Sequence, residues 1–248
     1  MTDKPFAGRI ACVTGASRGI GRATALALAA GGAQVVAVAR TQGGLESLDD
    51  AIRQAGGLPA TLVPLDIRDG DGIDRLGHAI HERWGKLDVL VANGAILGPI
   101  SPLGHVAPKE WDQIVAVNLT AQWRLIRSFD PLLQVSDAGR AVFVTSGAAT
   151  KCRPYWGPYS TTKAALDALA RTYAAENETT KVRVNLFNPG PIRTTMRAQA
   201  MPGEDPQTLE PPEAPAAAIV AMCRADVTEN GQLFDYPARA WKSFRDPA

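Results

Sequence analysis

Short apolar runs alternate with amphipathic stretches along almost the whole chain. Residues 9–14, 34–39, 60–65, 87–92, 140–145, 181–187 and 232–236 are runs of strand length, typified by Val35-Val36-Ala37-Val38. Continuous apolar runs, as opposed to apolar–polar alternation, mark strands buried on both faces of a parallel sheet. Between them, residues 20–30, 45–55, 73–84, 108–129, 159–177 and 212–224 carry apolar side chains at helical spacing. Gly31-Gly32 and Gly56-Gly57 end two of these helices as cap glycines do, and Pro131 is expected near the end of a fourth. This alternation predicts an α/β fold, a Rossmann-type doubly wound parallel sheet of about seven strands with helices on both faces. No repeat or linker divides the chain, so residues 1–248 are read as a single domain. Residues 189–215 are rich in Pro, Gly and charge, and 191–212 are expected to form a mobile lid over a substrate site.

Composition narrows the partners. An apolar content of 46% and a charged content of 21% are those of an ordinary globular protein. The formal net charge of +1 supplies no global field toward nucleic acid or an anionic membrane, and neither is expected as a partner. Residues 1–8 are polar, and no apolar run approaches the roughly 18 residues of a membrane span, which makes the cytoplasm the expected location. Cys12, Cys152 and Cys223 lie far apart, and His78 and His81 have no third ligand in view, so no metal or disulfide is predicted.

Thr14-Gly15-Ala16-Ser17-Arg18-Gly19-Ile20-Gly21 lies between the first strand and the first helix. Glycines there permit a tight turn, let backbone approach a pyrophosphate and let the helix pack closely on the strand. The helix N-terminus presents unpaired N–H groups and a partial positive charge to phosphate. In this strand–turn–helix context the turn predicts dinucleotide binding through Gly15, Ser17, Arg18, Gly19 and Ile20. The second strand ends in Ala39-Arg40-Thr41, with a cation where an NAD-binding chain needs a carboxylate for the ribose 2′-hydroxyl. Arg40, with Arg18 on the other side, suits a 2′-phosphate, favouring NADP over NAD; the alternative is two solvated arginines.

Tyr159 and Lys163 are four apart on a predicted helix and so share a face. A phenol has an ordinary pKa near ~10, and an adjacent ammonium is expected to lower it toward working pH, giving a proton donor and acceptor. Taken alone, the pair is equally a half-buried Tyr beside a surface Lys.

With these motifs in order, the chain resembles the short, single-domain branch of the short-chain dehydrogenase/reductase family; residues 140–210 resemble an uncharacterised bacterial reductase subgroup. The resemblance implies a catalytic tetrad of Asn118, Ser146, Tyr159 and Lys163, with Ser146 thirteen residues before Tyr159. It implies cofactor contacts from Asp66 to the adenine amino group, with Ile67 beside it, and from Asn93 and Gly94. It adds Pro189, Gly190, Ile192 and Thr194 at the nicotinamide end, and Lys163 and Tyr159 beside the ring. Asp66 is alternatively a turn former, and Thr194 the cap of a short helix starting near Thr195. The implied activity is hydride transfer between NADP(H) and a small-molecule carbonyl or secondary alcohol, with Asn118 retaining a water that links Lys163 to solvent. A homodimer or homotetramer is expected from the same resemblance. A sensor that binds NADP(H) without turnover would use the same glycine turn.

Overall fold

The computed structural model describes residues 4–244. In chain order the elements are β1 (Ile10–Thr14), α1 (Gly19–Ala30), β2 (Gln34–Ala39), α2 (Gln42–Gln54), β3 (Thr61–Pro64), α3 (Gly70–Trp84) and β4 (Val89–Ala92). They continue with α4 (Pro108–Val115), α5 (Ala121–Val135), β5 (Arg140–Val144), α6 (Ala148–Lys151) and α7 (Gly157–Glu176). The last are β6 (Arg183–Asn188), α8 (Thr195–Ala200), α9 (Glu213–Met222), β7 (Leu233–Asp235) and β8 (Ala240–Lys242).

The strands form one sheet in the order β3-β2-β1-β4-β5-β6-β7-β8. All neighbours pair in parallel except β7 and β8, which are antiparallel. Chain order reverses between β1 and β4, so a crevice opens at the carboxyl ends of those strands, where open α/β sheets take their ligands.

The apolar runs feed two cores because successive side chains point to opposite faces. Ile10, Cys12, Val36, Val38, Leu90 and Phe143 face the layer of α3, α5 and α7, supplied by Ile73, Phe129 and Leu166. Ala11, Val13, Val35, Ala37, Val89 and Val142 face the layer of α1, α2 and α9, supplied by Leu28, Leu48 and Ile219. Among the described residues, no helix is long and apolar enough to cross a membrane.

Three local features depart from the expectation. The helix expected over 108–129 is α4 and α5 joined by a π-helical turn, Ala116–Thr120. A single π turn keeps the chain helical on both sides, and the one-residue phase shift it introduces is too brief to read from the apolar pattern. α5 also runs through Pro131 to Val135. An interior proline costs about 3 kcal/mol, which burial of Leu132 and Leu133 offsets at roughly 1.5–3 kcal/mol each. The eighth strand, β8, returns from β7 through Arg239 in the left-handed conformation, φ 52°. An aromatic ladder holds it: Phe187 stacks on Phe234 at 6.0 Å, and Trp241 meets Phe234 edge-on at 5.2 Å. Three residues without a periodic signature are too few to read as a strand from sequence.

Asp88, at the start of β4, is buried and ties three segments together. Its carboxylate accepts from the Ile10 N–H at 2.8 Å, the Ser136 hydroxyl at 2.5 Å and the Lys86 ammonium at 3.0 Å. Asp88→Ala strands those donors, and we expect a loss of about 3 kcal/mol, read as a lower urea midpoint at unchanged slope.

Candidate active site

Thr14, the last residue of β1, closes the mouth of the crevice. Its Oγ1 accepts from the backbone N–H groups of Asn93 and Gly94 at 3.0 and 2.9 Å. Asn93 returns its amide to the Thr14 carbonyl at 2.9 Å. The ends of β1 and β4 are thereby locked side by side. The glycine turn fits against them with no spare room: a Cβ on Gly21 would sit 2.4 Å from both Asn93 Nδ2 and the Gly15 carbonyl oxygen. Gly15 and Gly19 have φ of 68° and 57°, which L side chains rarely adopt. Arg18, at the N-cap of α1, makes no side-chain cap, and the first turn holds no acid. The helix thus offers its N–H groups and positive end to an anion.

A cleft of about 450 Å³ runs from this turn across the end of the sheet. Of the predicted cofactor residues, Gly15, Ser17, Arg18, Gly19, Ile20, Arg40, Asp66, Ile67, Asn93, Gly94 and Thr194 line it, with Tyr159 and Lys163 at its far end. Thr41 and Gly44, close to Arg40 in sequence, line it as well. Asp66 accepts the Arg68 N–H at 3.0 Å and takes that guanidinium at 2.7 Å, which holds its carboxyl below the usual range. Asp66 thus forms the turn before α3 and also lines the cleft. Thr194 likewise caps α8, accepting from Arg197 N at 3.2 Å, and lines the cleft.

Pro189, Gly190 and Ile192 stand outside the lining. Gly190, φ 69°, turns the chain so closely against Pro237 that a Cβ would lie 2.4 Å from its ring, and Ile192 is buried. Asn118 sits in the π turn, wholly buried, and clasps both backbone groups of Ile96 at 2.9 Å while donating to Thr162 Oγ1 at 3.2 Å. Its amide is spent on holding the cleft wall.

Ser146 follows β5, and its hydroxyl lies near enough to the Tyr159 phenol to act on its pKa. Lys163 donates to the Val144 carbonyl at 2.8 Å, with its Nζ 5.7 Å from the centre of the Tyr159 ring. This corrects the expectation of an ammonium that lowers the phenol's pKa. Tyr159 is 7% exposed, and burial pushes its phenol up to about 12, opposed by the Ser146 hydroxyl. The lysine, itself 3% exposed, is brought down to about 8 by burial, with Asp167 acting in the other direction. Desolvation of both groups outweighs their mutual field, because the ammonium is directed to a carbonyl and not to the phenol oxygen.

Apolar side chains enclose Tyr159. Leu97 and Ile114 pack with it, bordered by Ile96, Ala148, Trp156 and Met196. Trp156 meets the Tyr159 ring edge-on at 6.0 Å.

Sequence reasoning assigned no part to Thr14, Gln122 or Asp167. Gln122 donates to the Gly94 carbonyl at 3.0 Å and so steadies the turn after β4. Asp167 carried a visible signal, an opposite charge four residues beyond Lys163, but exposed helix pairs show the same spacing.

Known proteins bear on the site. The family model described as short chain dehydrogenase matches residues 9–205. The chain is 35% identical to the uncharacterized oxidoreductase YciK of Escherichia coli, covering 82% of this chain and 81% of that protein. It is 31% identical to the benzil reductase ((S)-benzoin forming) IRC24 of Saccharomyces cerevisiae, over 92% and 96% of the two chains. A short chain dehydrogenase structure from Shigella flexneri 2a, complexed with NADP, superposes with a TM-score of 0.91 at 32% identity, covering 95% of this chain and 100% of that one.

The Lys163 shift has a measurable consequence. Its folded pKa lies near 8 and its ordinary value at 10.5. Between these the unfolded chain binds the extra proton, so stability is lower below pH 8 and rises with pH through that interval. From pH 8 to 10 wild type should gain on the order of 2 kcal/mol that Lys163→Met does not, titrations common to both chains cancelling, seen as converging or crossing melting curves.

Proposed function

The chain belongs to the short-chain dehydrogenase family, and on that premise we propose that it is an NADP(H)-dependent carbonyl reductase with Tyr159 as general acid/base. One observation carries the reading: Tyr159, with the Ser146 hydroxyl near its phenol and Lys163 one helical turn on, opens into the same cleft as the glycine turn and Arg40. The site fits the cofactor by its own chemistry. The uncapped start of α1 suits a pyrophosphate, and Arg18 and Arg40 suit a 2′-phosphate where a carboxylate would repel it. Two neighbouring folds of the family, from Shigella flexneri 2a and Escherichia coli CFT073, are complexed with NADP and NADPH.

When bound, NADPH supplies the hydride. The Ser146 hydroxyl holds the substrate's carbonyl oxygen, and Tyr159 gives that oxygen its phenolic proton as the alcohol forms. A phenol neutral at pH 7 is in the form that donates a proton for reduction. The positive charge of Lys163 stabilises the phenolate left on Tyr159, which regains its proton from solvent. In the oxidative direction each proton moves the other way. Asn118 acts by keeping Ile96 and Thr162 in place.

The wall around Tyr159 points to a carbonyl bearing an apolar or aromatic group, held against Leu97, Trp156 and Met196. A relative named for benzil reduction agrees with that class. Residues 191–212 are read as the lid over this substrate. An Ile192–Glu210 bridge closes the segment at its base, Arg197 pairs with Glu204 at 2.5 Å within it, and Met196 projects into the cleft.

Tyr159→Phe should lower kcat about 10²–10⁴-fold on aryl and alkyl ketones with NADPH, followed by nicotinamide absorbance, while NADPH affinity stays within a few-fold. A variant that keeps most of its turnover removes Tyr159 from the mechanism, and NADPH binding without turnover on any ketone would favour the sensor reading. Arg40→Ala should weaken NADPH about 10–150-fold in titration calorimetry and leave NADH nearly unaffected, the value of one lost charged contact.

A further inference from the structure

Three side chains at four-residue intervals along α7 reach the same end of β5. Tyr159 lies by Ser146, close enough for that hydroxyl to act on its phenol, Lys163 donates to the Val144 carbonyl at 2.8 Å, and Asp167 accepts from the Thr145 hydroxyl. Residues 159, 163 and 167 therefore take hold of residues 146, 144 and 145, a continuous segment ending at the serine. The first two belong to the proposed chemistry. The third is a carboxylate only 7% exposed, with no salt-bridge contact among the described residues. Burying such a group is costly unless it is bonded and its charge is balanced. Thr145 supplies the bond. The charges acting on Asp167 are the Lys163 and Arg171 cations of its own helix, and the strand packed against it offers the neutral Thr145 hydroxyl.

We propose that Asp167 is a positioning residue of this active site: its carboxylate balances the buried Lys163 ammonium and, through Thr145, fixes the turn that carries Ser146. The inference rests on the reading of Tyr159 and Lys163 as the proton-handling pair. Asp167 touches neither substrate nor cofactor in this scheme. Its charge keeps the lysine protonated inside the protein, and its hydrogen bond holds β5 where the serine hydroxyl meets the phenol. Burial pushes the carboxyl up to about 6, so it is ionised at neutral pH and above. Removing the charge while keeping the shape, as in Asp167→Asn, leaves Lys163 with desolvation alone and no opposing anion.

The test is kcat against pH from 6 to 10 for wild type and Asp167→Asn, with NADPH and the ketone of highest turnover. The variant's basic limb should move about one unit lower, with kcat about tenfold down at pH 8, KM for NADPH within threefold, and Asp167→Glu restoring the limb. Cofactor-free melting over the same range gives a readout independent of turnover. The rise in stability that starts near pH 8 in wild type should start at lower pH in Asp167→Asn. An unmoved limb and an unmoved melting onset overturn the proposal. Should Asp167→Asn not fold, Thr145→Val removes the bond and keeps the charge, and a wild-type kcat in that variant also overturns it. Absence of any Tyr159-dependent turnover in wild type would instead remove the proposed reaction, and the melting onset would still decide whether Asp167 and Lys163 are coupled.

Discussion

A lysine ammonium buried at the end of a parallel sheet constrains everything around it. Out of water, Lys163 needs an acceptor and a compensating charge. It finds the acceptor in the Val144 carbonyl, which is free for a side chain because β5 ends there and the chain turns away at Ser146 and Gly147. It finds the charge in Asp167, one helical turn further along α7. The helix must therefore lie along the strand end in one rotation and one register. That same rotation brings Tyr159 over Ser146. A surface lysine would impose no such geometry.

The other end of the cleft is governed by close approach of backbone. Gly21 and Gly15 have no room for a Cβ because Asn93 lies across the turn, and Asn93 is there because Thr14 draws both its N–H and that of Gly94 to one hydroxyl. β1 and β4 are neighbours only through the reversal of strand order between them. A phosphate-binding turn, an arginine beyond β2 and a phenol on α7 are thus assembled by topology at one edge of the sheet. The ends of the strands supply fixed positions, while Thr194, Thr195 and Met196 of the segment after β6 also line the cleft, with Thr194 lying 3.4 Å from the Cβ position of Gly19.

Much of this was legible along the chain. Strand runs could be read because a strand buried on both faces has no polar side to disguise it, and Val35–Val38 fills both cores in alternation. The glycine turn, Arg40 and the Tyr159–Lys163 spacing were legible because each depends on local sequence. The π turn around Asn118 was not, since the one-residue phase shift it introduces is hard to tell from ordinary scatter of apolar positions. Asp167 was visible as a residue but not as a buried one, and β8 rests on Trp241 meeting Phe234, which itself stacks on Phe187 far back in the chain.

By itself, the sequence determined the alternation of strands and helices, the anion-binding turn and the residue types available for proton transfer, all consequences of short-range periodicity and backbone freedom. Only the tertiary structure decided that Lys163 would be directed to Val144 and not to the phenol, that burial would keep Tyr159 protonated, and that Thr145 and Asp167 would meet. Those outcomes turn on desolvation and on contacts between residues distant in the chain, which no local pattern encodes.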